Sequence, residues 1–120
     1  MLKKSLSLVV GVMKMNKEYT FSKTKRYLTR GINELVPLAV QILLWDKIDA
    51  LVASDVTTDY LQVFTFEVTD HVVLTHSQEQ PEYKKEYKYP LKDEFKALNH
   101  VKIYVIDDIT HSTMLLSREY

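Results

Sequence analysis

Residues 37–54, PLAVQILLWDKIDALVAS, decide what kind of domain this chain builds. Pro37 suits a first helical turn, where its missing N–H costs nothing, and no further Gly or Pro interrupts the stretch. At 100° per residue Val40, Leu44, Trp45, Ile48, Leu51 and Val52 share one broad face, with Asp46 and Lys47 away from it. The spacing predicts one long core helix. Ile42 and Leu43 lie toward another side and would face a second layer or a subunit. Gln41 falls inside the apolar arc, where an unpaired primary amide costs about 1–3 kcal/mol. It is expected to satisfy a loop or strand edge, with a ligand role as the alternative.

Upstream, KTKRYLTRGI alternates Arg26, Leu28 and Arg30 with Tyr27 and Thr29, which predicts a strand ending at Gly31. Downstream, DYLQVFTFEV is apolar on both faces and reads as a central strand. HVVLTH pairs with it as a hairpin through Thr69-Asp70. YKKEYKY sets Tyr83, Tyr87 and Tyr89 on one face against Lys84, Glu86 and Lys88, a half-solvated strand that Pro90 closes. LKDEFKALNH carries Leu91, Phe95 and Leu98 at helical spacing, and VKIYVIDD and STMLLS form two more strands about the turn 108–111. The expected fold is α+β, a single domain with a largely antiparallel sheet of five or six strands packed on one main helix, with a short second helix.

The chain has 120 residues, 46% of them hydrophobic and thirteen aromatic, enough for one core without a disulfide or metal staple. It has no cysteine, hence neither a disulfide framework nor a thiolate nucleophile, which fits a cytoplasmic setting. Zero net charge hides an asymmetry. Residues 1–32 carry eight bases and one acid, whereas residues 33–120 carry eight bases and fifteen acids. Either a basic arm seeks an acidic partner, or a basic strand folds against its own acidic domain.

Residues 1–22 stand apart as an N-terminal extension, flexible or preceding the true start, and 23–120 as the domain. The apolar run in MLKKSLSLVVGVM lacks an A-x-A-like cleavage site and is well short of the ~20 residues that span a bilayer, so neither secretion nor membrane insertion is expected. Val10-Gly11-Val12 can be encoded with AGGAG, a ribosome-binding sequence, ahead of Met13 and Met15. Translation from Met13 or Met15 is the corresponding expectation, which intact mass would check.

Candidate chemistry is sparse. His76 with Glu79 and Glu82 lacks HExxH spacing, and Pro81 interrupts any helical face, so no metal is expected. Asp107, Asp108, His111 and Ser112 supply the residue types of a hydrolytic triad in a hairpin, although adjacent aspartates at a strand end are more often turn formers. With only Gly11 and Gly31, neither a P-loop nor a Rossmann fingerprint can be assembled, and no cofactor is expected. Lys23, Lys25, Arg26 and Arg30, interleaved with Tyr19, Phe21 and Tyr27, form a possible nucleic-acid surface. The segment HSQEQPEYKKEYKY instead suggests protein recognition through His76, Gln78, Glu79, Tyr83 and Tyr87, since tyrosines offer contact area at modest entropic cost.

The segments KRYLTRGI, VPLAVQILLW, DYLQVF, QEQPEYKKEY and VIDDITHSTMLLSREY together resemble the small bacterial family catalogued as domain of unknown function 960. The resemblance covers residues 23–120. It implies a Gram-positive source, mobile genetic elements among its settings, and no established activity. Members carry Pro-Glu after the final Met-Leu-Leu run, where this chain has Ser117-Arg118. The reading that results is a cytoplasmic, non-enzymatic accessory protein that binds another protein, with self-association among its possibilities. A nucleic-acid-binding accessory protein and a hydrolase are the alternatives.

Overall fold

The computed structural model describes residues 17–120. The expectations for the start of the chain fall on residues 1–16 and lie outside the described residues. Strand β1 (Arg26–Leu28) leads into helix α1 (Arg30–Leu35) and then the main helix α2 (Leu38–Ala53). Strands β2 (Leu61–Val68), β3 (His71–Gln78) and β4 (Tyr83–Pro90) follow as a meander. After a 3₁₀ turn at Asp93–Phe95 come β5 (Lys102–Asp107), β6 (Ser112–Leu116) and a 3₁₀ turn at Ser117–Glu119.

The six strands form one mixed sheet in the order β1-β6-β5-β2-β3-β4. All neighbours are antiparallel except β1, which runs parallel to β6 with Tyr27 opposite Thr113. This is the expected α+β architecture. β2 is central, and its alternation buries Gln62, Phe64 and Phe66 against the layer of α2. From α2 the core receives Val40, Leu44, Ile48 and Leu51. Trp45 and Val52 are half-buried at the margin, Leu43 packs on the core's other flank, and Ile42 is exposed.

Two local expectations change. The first strand stops at Leu28, and residues 30–35 turn into α1 because Thr29 caps it, its hydroxyl oxygen accepting from the Ile32 amide at 3.3 Å. The Glu119 carboxylate adds a second acceptor, for the Gly31 amide at 3.1 Å. In the segment after Pro90, only Asp93–Phe95 is helical, and Phe95 and Leu98 reach the core through successive i→i+3 turns rather than an α-helix.

Residues 17–22 pack against this body. Phe21 is fully buried, its amide donating to Asp107 Oδ2 at 2.9 Å. The Lys17 ammonium donates to the carbonyls of Leu51, Val52 and Ser54 at 3.1, 2.7 and 2.9 Å, a favourable placement for a cation at a helix C-terminus. The domain therefore takes in Phe21, upstream of the boundary expected at residue 23.

Candidate binding surface along helix α2 and strand β4

Strand β4 ends the sheet, so one of its two edges has no neighbouring strand among the described residues. Its alternation sends Tyr83, Tyr87 and Tyr89 toward α2, half-buried, and leaves Lys84, Glu86 and Lys88 exposed on the opposite face. The tyrosines are held by packing. Tyr89 stacks on Phe95 with ring centroids 5.9 Å apart, and Tyr87 lies alongside Tyr89 at 6.5 Å. Lys47 from α2 places its ammonium 3.8 Å from the Tyr87 ring centre and 5.8 Å from that of Tyr89. Burial is the first cause raising the Tyr83 pKa, and the neighbouring Tyr87 adds to it.

Two shallow concavities follow the seam between α2 and β4. One of about 180 Å³ is lined by Lys47, Ala50, Ser54, Tyr83, Lys85 and Tyr87 among others. Toward the other end, about 200 Å³ opens between Ala39, Leu43, Tyr89, Pro90 and Phe95. The result is a mixed surface, with aromatic and aliphatic walls crossed by lysine.

Beneath the Tyr83 end lies a polar network. His76 is fully buried, stacked on Phe64 at 4.4 Å and met edge-on by Tyr83 at 5.6 Å. Its Nε2 is 2.6 Å from Gln62 Oε1, and its Nδ1 has no hydrogen-bond partner among the described residues. Gln62 Nε2 donates to Gln78 Oε1 at 2.8 Å, while Gln78 Nε2 donates to the carbonyls of Thr57 and Pro81. Asp59 completes the arrangement, its carboxylate accepting from the amides of Glu79 and Gln80 across the β3–β4 turn. Burial, and secondarily the charge of Lys47, push the His76 pKa down to about 4, so the ring is neutral near pH 7.

These positions correct the expected recognition set. His76 and Gln78 lie inside, tying the turn to the loop before β2, so neither is a surface contact. Glu79 is exposed in that turn, and Tyr83 and Tyr87 line the seam. The sequence reading missed Lys47, Gln62 and Asp59. Gln62 did carry a signal, a polar residue alternating with Phe64 and Phe66 on an inward face.

The other candidates do not converge. Arg26 forms an ion pair with Asp49, donates to the Phe21 carbonyl at 2.8 Å and stacks over Trp45 at 4.4 Å, so its guanidinium is committed within the fold. Phe21 is likewise core rather than a stacking ring. Arg30 pairs with Glu34 on the exposed side of α1, while Lys23 and Lys25 are exposed. Gln41 donates to the Val36 carbonyl at 2.8 Å, closing the turn between the helices.

Asp107 Oδ1 accepts the Ile109 amide, and Asp108 Oδ1 accepts the amides of Thr110 and His111. His111 Nδ1 is 2.9 Å from Thr110 Oγ1, and the Ser112 hydroxyl is buried without a partner among the described residues. The hairpin thus uses both carboxylates as acceptors for its own backbone instead of aligning a base on a nucleophile. Among the described residues, no group of three or more His, Asp or Glu side chains is placed to hold a metal, and no helix is long and apolar enough to cross a membrane.

A family model described as "Staphylococcal protein of unknown function", domain of unknown function 960, matches residues 25–119. No curated protein matches the chain. Among solved structures, a protein of unknown function from Enterococcus faecalis is similar with a TM-score of 0.69 and 20% identity, over 84% of this chain and 95% of that one. That likeness is one of fold.

Proposed function

The chain belongs to that staphylococcal family of unknown function, and from this premise we propose that it is a non-enzymatic accessory protein that binds another protein through the α2–β4 seam. The observation carrying this reading is the pair of concavities lined by Tyr83, Tyr87 and Tyr89 beside a strand whose outer edge is unpaired among the described residues. Half-buried tyrosines fixed by Lys47 and Phe95 offer apolar area with little entropy left to lose. Cytoplasmic residence and service to a mobile genetic element fit this role.

The experiment is affinity capture of the tagged full chain from lysate of its own cells, with and without nuclease, followed by Tyr83→Ala and Tyr87→Ala. A stoichiometric protein that survives nuclease and is lost with either substitution, at unchanged circular dichroism, supports the seam. Retention by both variants rejects it. Recovery of nucleic acid, with proteins lost after nuclease, would favour a nucleic-acid role instead. That role would fall to Lys23, Lys25 and Arg30, because Arg26 is occupied by Asp49 and Trp45.

A further inference from the structure

We propose that the outer edge of β4, unpaired among the described residues, pairs with the β4 edge of a second copy of this chain, antiparallel about a two-fold axis, joining two six-stranded sheets into one. This rests on the binding-module reading in that it names a partner for the same strand.

The direction of the unpaired backbone follows from the ladder. Phe66 donates to Val101 and accepts from His100, so its backbone points toward β5. Backbone direction alternates along a strand. Glu67 therefore points at β3, Leu74 and His76 point at β4, and their opposites Tyr87 and Lys85 point back. The N–H and C=O groups of Lys84, Glu86 and Lys88 are the ones facing outward. Their side chains are exposed on the sheet face that α2 does not cover.

Charge then selects the register. Pairing about a two-fold axis normal to the sheet keeps residues of the same face opposite each other, so three central registers compete. Centring on Glu86 sets glutamate against glutamate and Lys84 against Lys88, all like charges. Centring on Tyr87 matches Glu86 with Lys88 twice, but brings Pro90, which has no N–H to donate, into the ladder. Centring on Lys85 matches Lys84 with Glu86 twice within the strands, brings Glu82 of the β3–β4 turn beside Lys88 twice, sets Tyr83 opposite Tyr87 on the other face, and leaves Pro90 outside, with Lys85 against Lys85 as its one like-charge pair. The two central lysines lie on the α2 side, where each ammonium sits 5.3 Å from its own Tyr87 ring.

Lysines on an edge strand also serve to repel unwanted pairing. The alternation Glu82, Lys84, Glu86, Lys88 complements itself at the offsets centred on Lys85 and on Tyr87, and Pro90 leaves the first.

The test is sedimentation equilibrium on the full chain. The expected results are a dimer for the native sequence, dissociation raised at least roughly tenfold by Glu86→Lys, and a monomer for Lys84→Glu with Lys88→Glu. Mixing the two variants should restore a one-to-one heterodimer, since three of the four cross-pairs then set a lysine against a glutamate and only Glu82 of the Glu86→Lys chain meets a like charge, at position 88 of its partner. All three positions are exposed, so the fold is expected to persist, with circular dichroism as the check. A native monomer, variants that dimerise as tightly as the native chain, or failure of the mixture to associate would each overturn the proposal. None of these outcomes bears on capture of a different protein through Tyr83 and Tyr87, so the two readings fail separately.

Discussion

The Glu119 carboxylate accepts a hydrogen bond from the Gly31 amide at 3.1 Å, linking the last residues of the chain to the first turn of α1. It also accepts from the Thr29 hydroxyl at 2.6 Å and the Leu116 amide at 2.8 Å. These bonds, the Thr29 contact first, hold the carboxyl below its usual pKa. The C-terminal turn itself forms as a 3₁₀ helix over Ser117–Glu119.

The contact leaves no room for a side chain at residue 31. A Cβ there would lie 2.6 Å from Glu119 Oε2. Alanine gains up to about 1 kcal/mol of helix propensity over glycine, but only if the carboxylate moves away. Glu119→Ala should cost about 1–2 kcal/mol, as loss of a cap does. Gly31→Ala should be near neutral in the native chain and stabilising by about 1 kcal/mol in the Glu119→Ala background. Equal effects of Gly31→Ala in the two backgrounds, measured by urea unfolding, would show that the residues do not interact.

His76 makes stability depend on pH. Its folded pKa of about 4 lies below the ordinary 6.5, so between these values the unfolded chain binds a proton that the folded chain excludes. Its contribution is complete above about pH 6.5 and is lost progressively as pH falls toward 4, amounting to about 3 kcal/mol. His76→Leu should flatten this limb. At neutral pH it should cost about 1–3 kcal/mol, because Gln62 Oε1 loses its 2.6 Å partner. An unchanged acid limb in the variant would assign the effect to other groups.

Arg26→Ala tests whether that cation serves the fold. Both members of its pair with Asp49 are largely shielded from solvent, and the guanidinium also stacks on Trp45. Removing one partner should cost about 2 kcal/mol, more than an exposed pair and less than a fully buried one. Asp49→Ala should cost a similar amount, and the double variant less than the sum of the two. Strict additivity would dismiss the coupling.

The elements legible in the sequence are those whose determinants are local. α2 follows from its 3.6-residue stripe, the β2–β3 hairpin from its flanking alternation, and the end of β4 from Pro90. α1 escaped because part of its support, Glu119, comes from 88 residues away. The burial of His76 and Gln78 was written in the alternation of Val72 and Leu74 with residues two apart, yet their polarity argued for solvent. Their partners Gln62 and Thr57 belong to another part of the chain, which no pattern within residues 71–89 specifies.

Ile109 gives the most direct test of local strain. Its φ of 80° lies in a region where a β-branched side chain is sterically disfavoured, at a cost of about 1–3 kcal/mol. The conformation persists because the turn is overdetermined: Asp107 accepts the Ile109 amide at 2.9 Å, and Asp108 holds the amides of Thr110 and His111. The Ile109 side chain is exposed, so little packing is lost on removing it. Glycine adopts positive φ without a steric penalty but carries roughly 0.5–1 kcal/mol more conformational entropy to lose. Ile109→Gly should therefore stabilise the protein by about 1 kcal/mol, while Ile109→Val, which keeps the branch, should change little. The two variants are compared with the native chain by thermal and urea unfolding, and a glycine variant less stable than the valine one would show that Ile109 makes contacts that outweigh its strain.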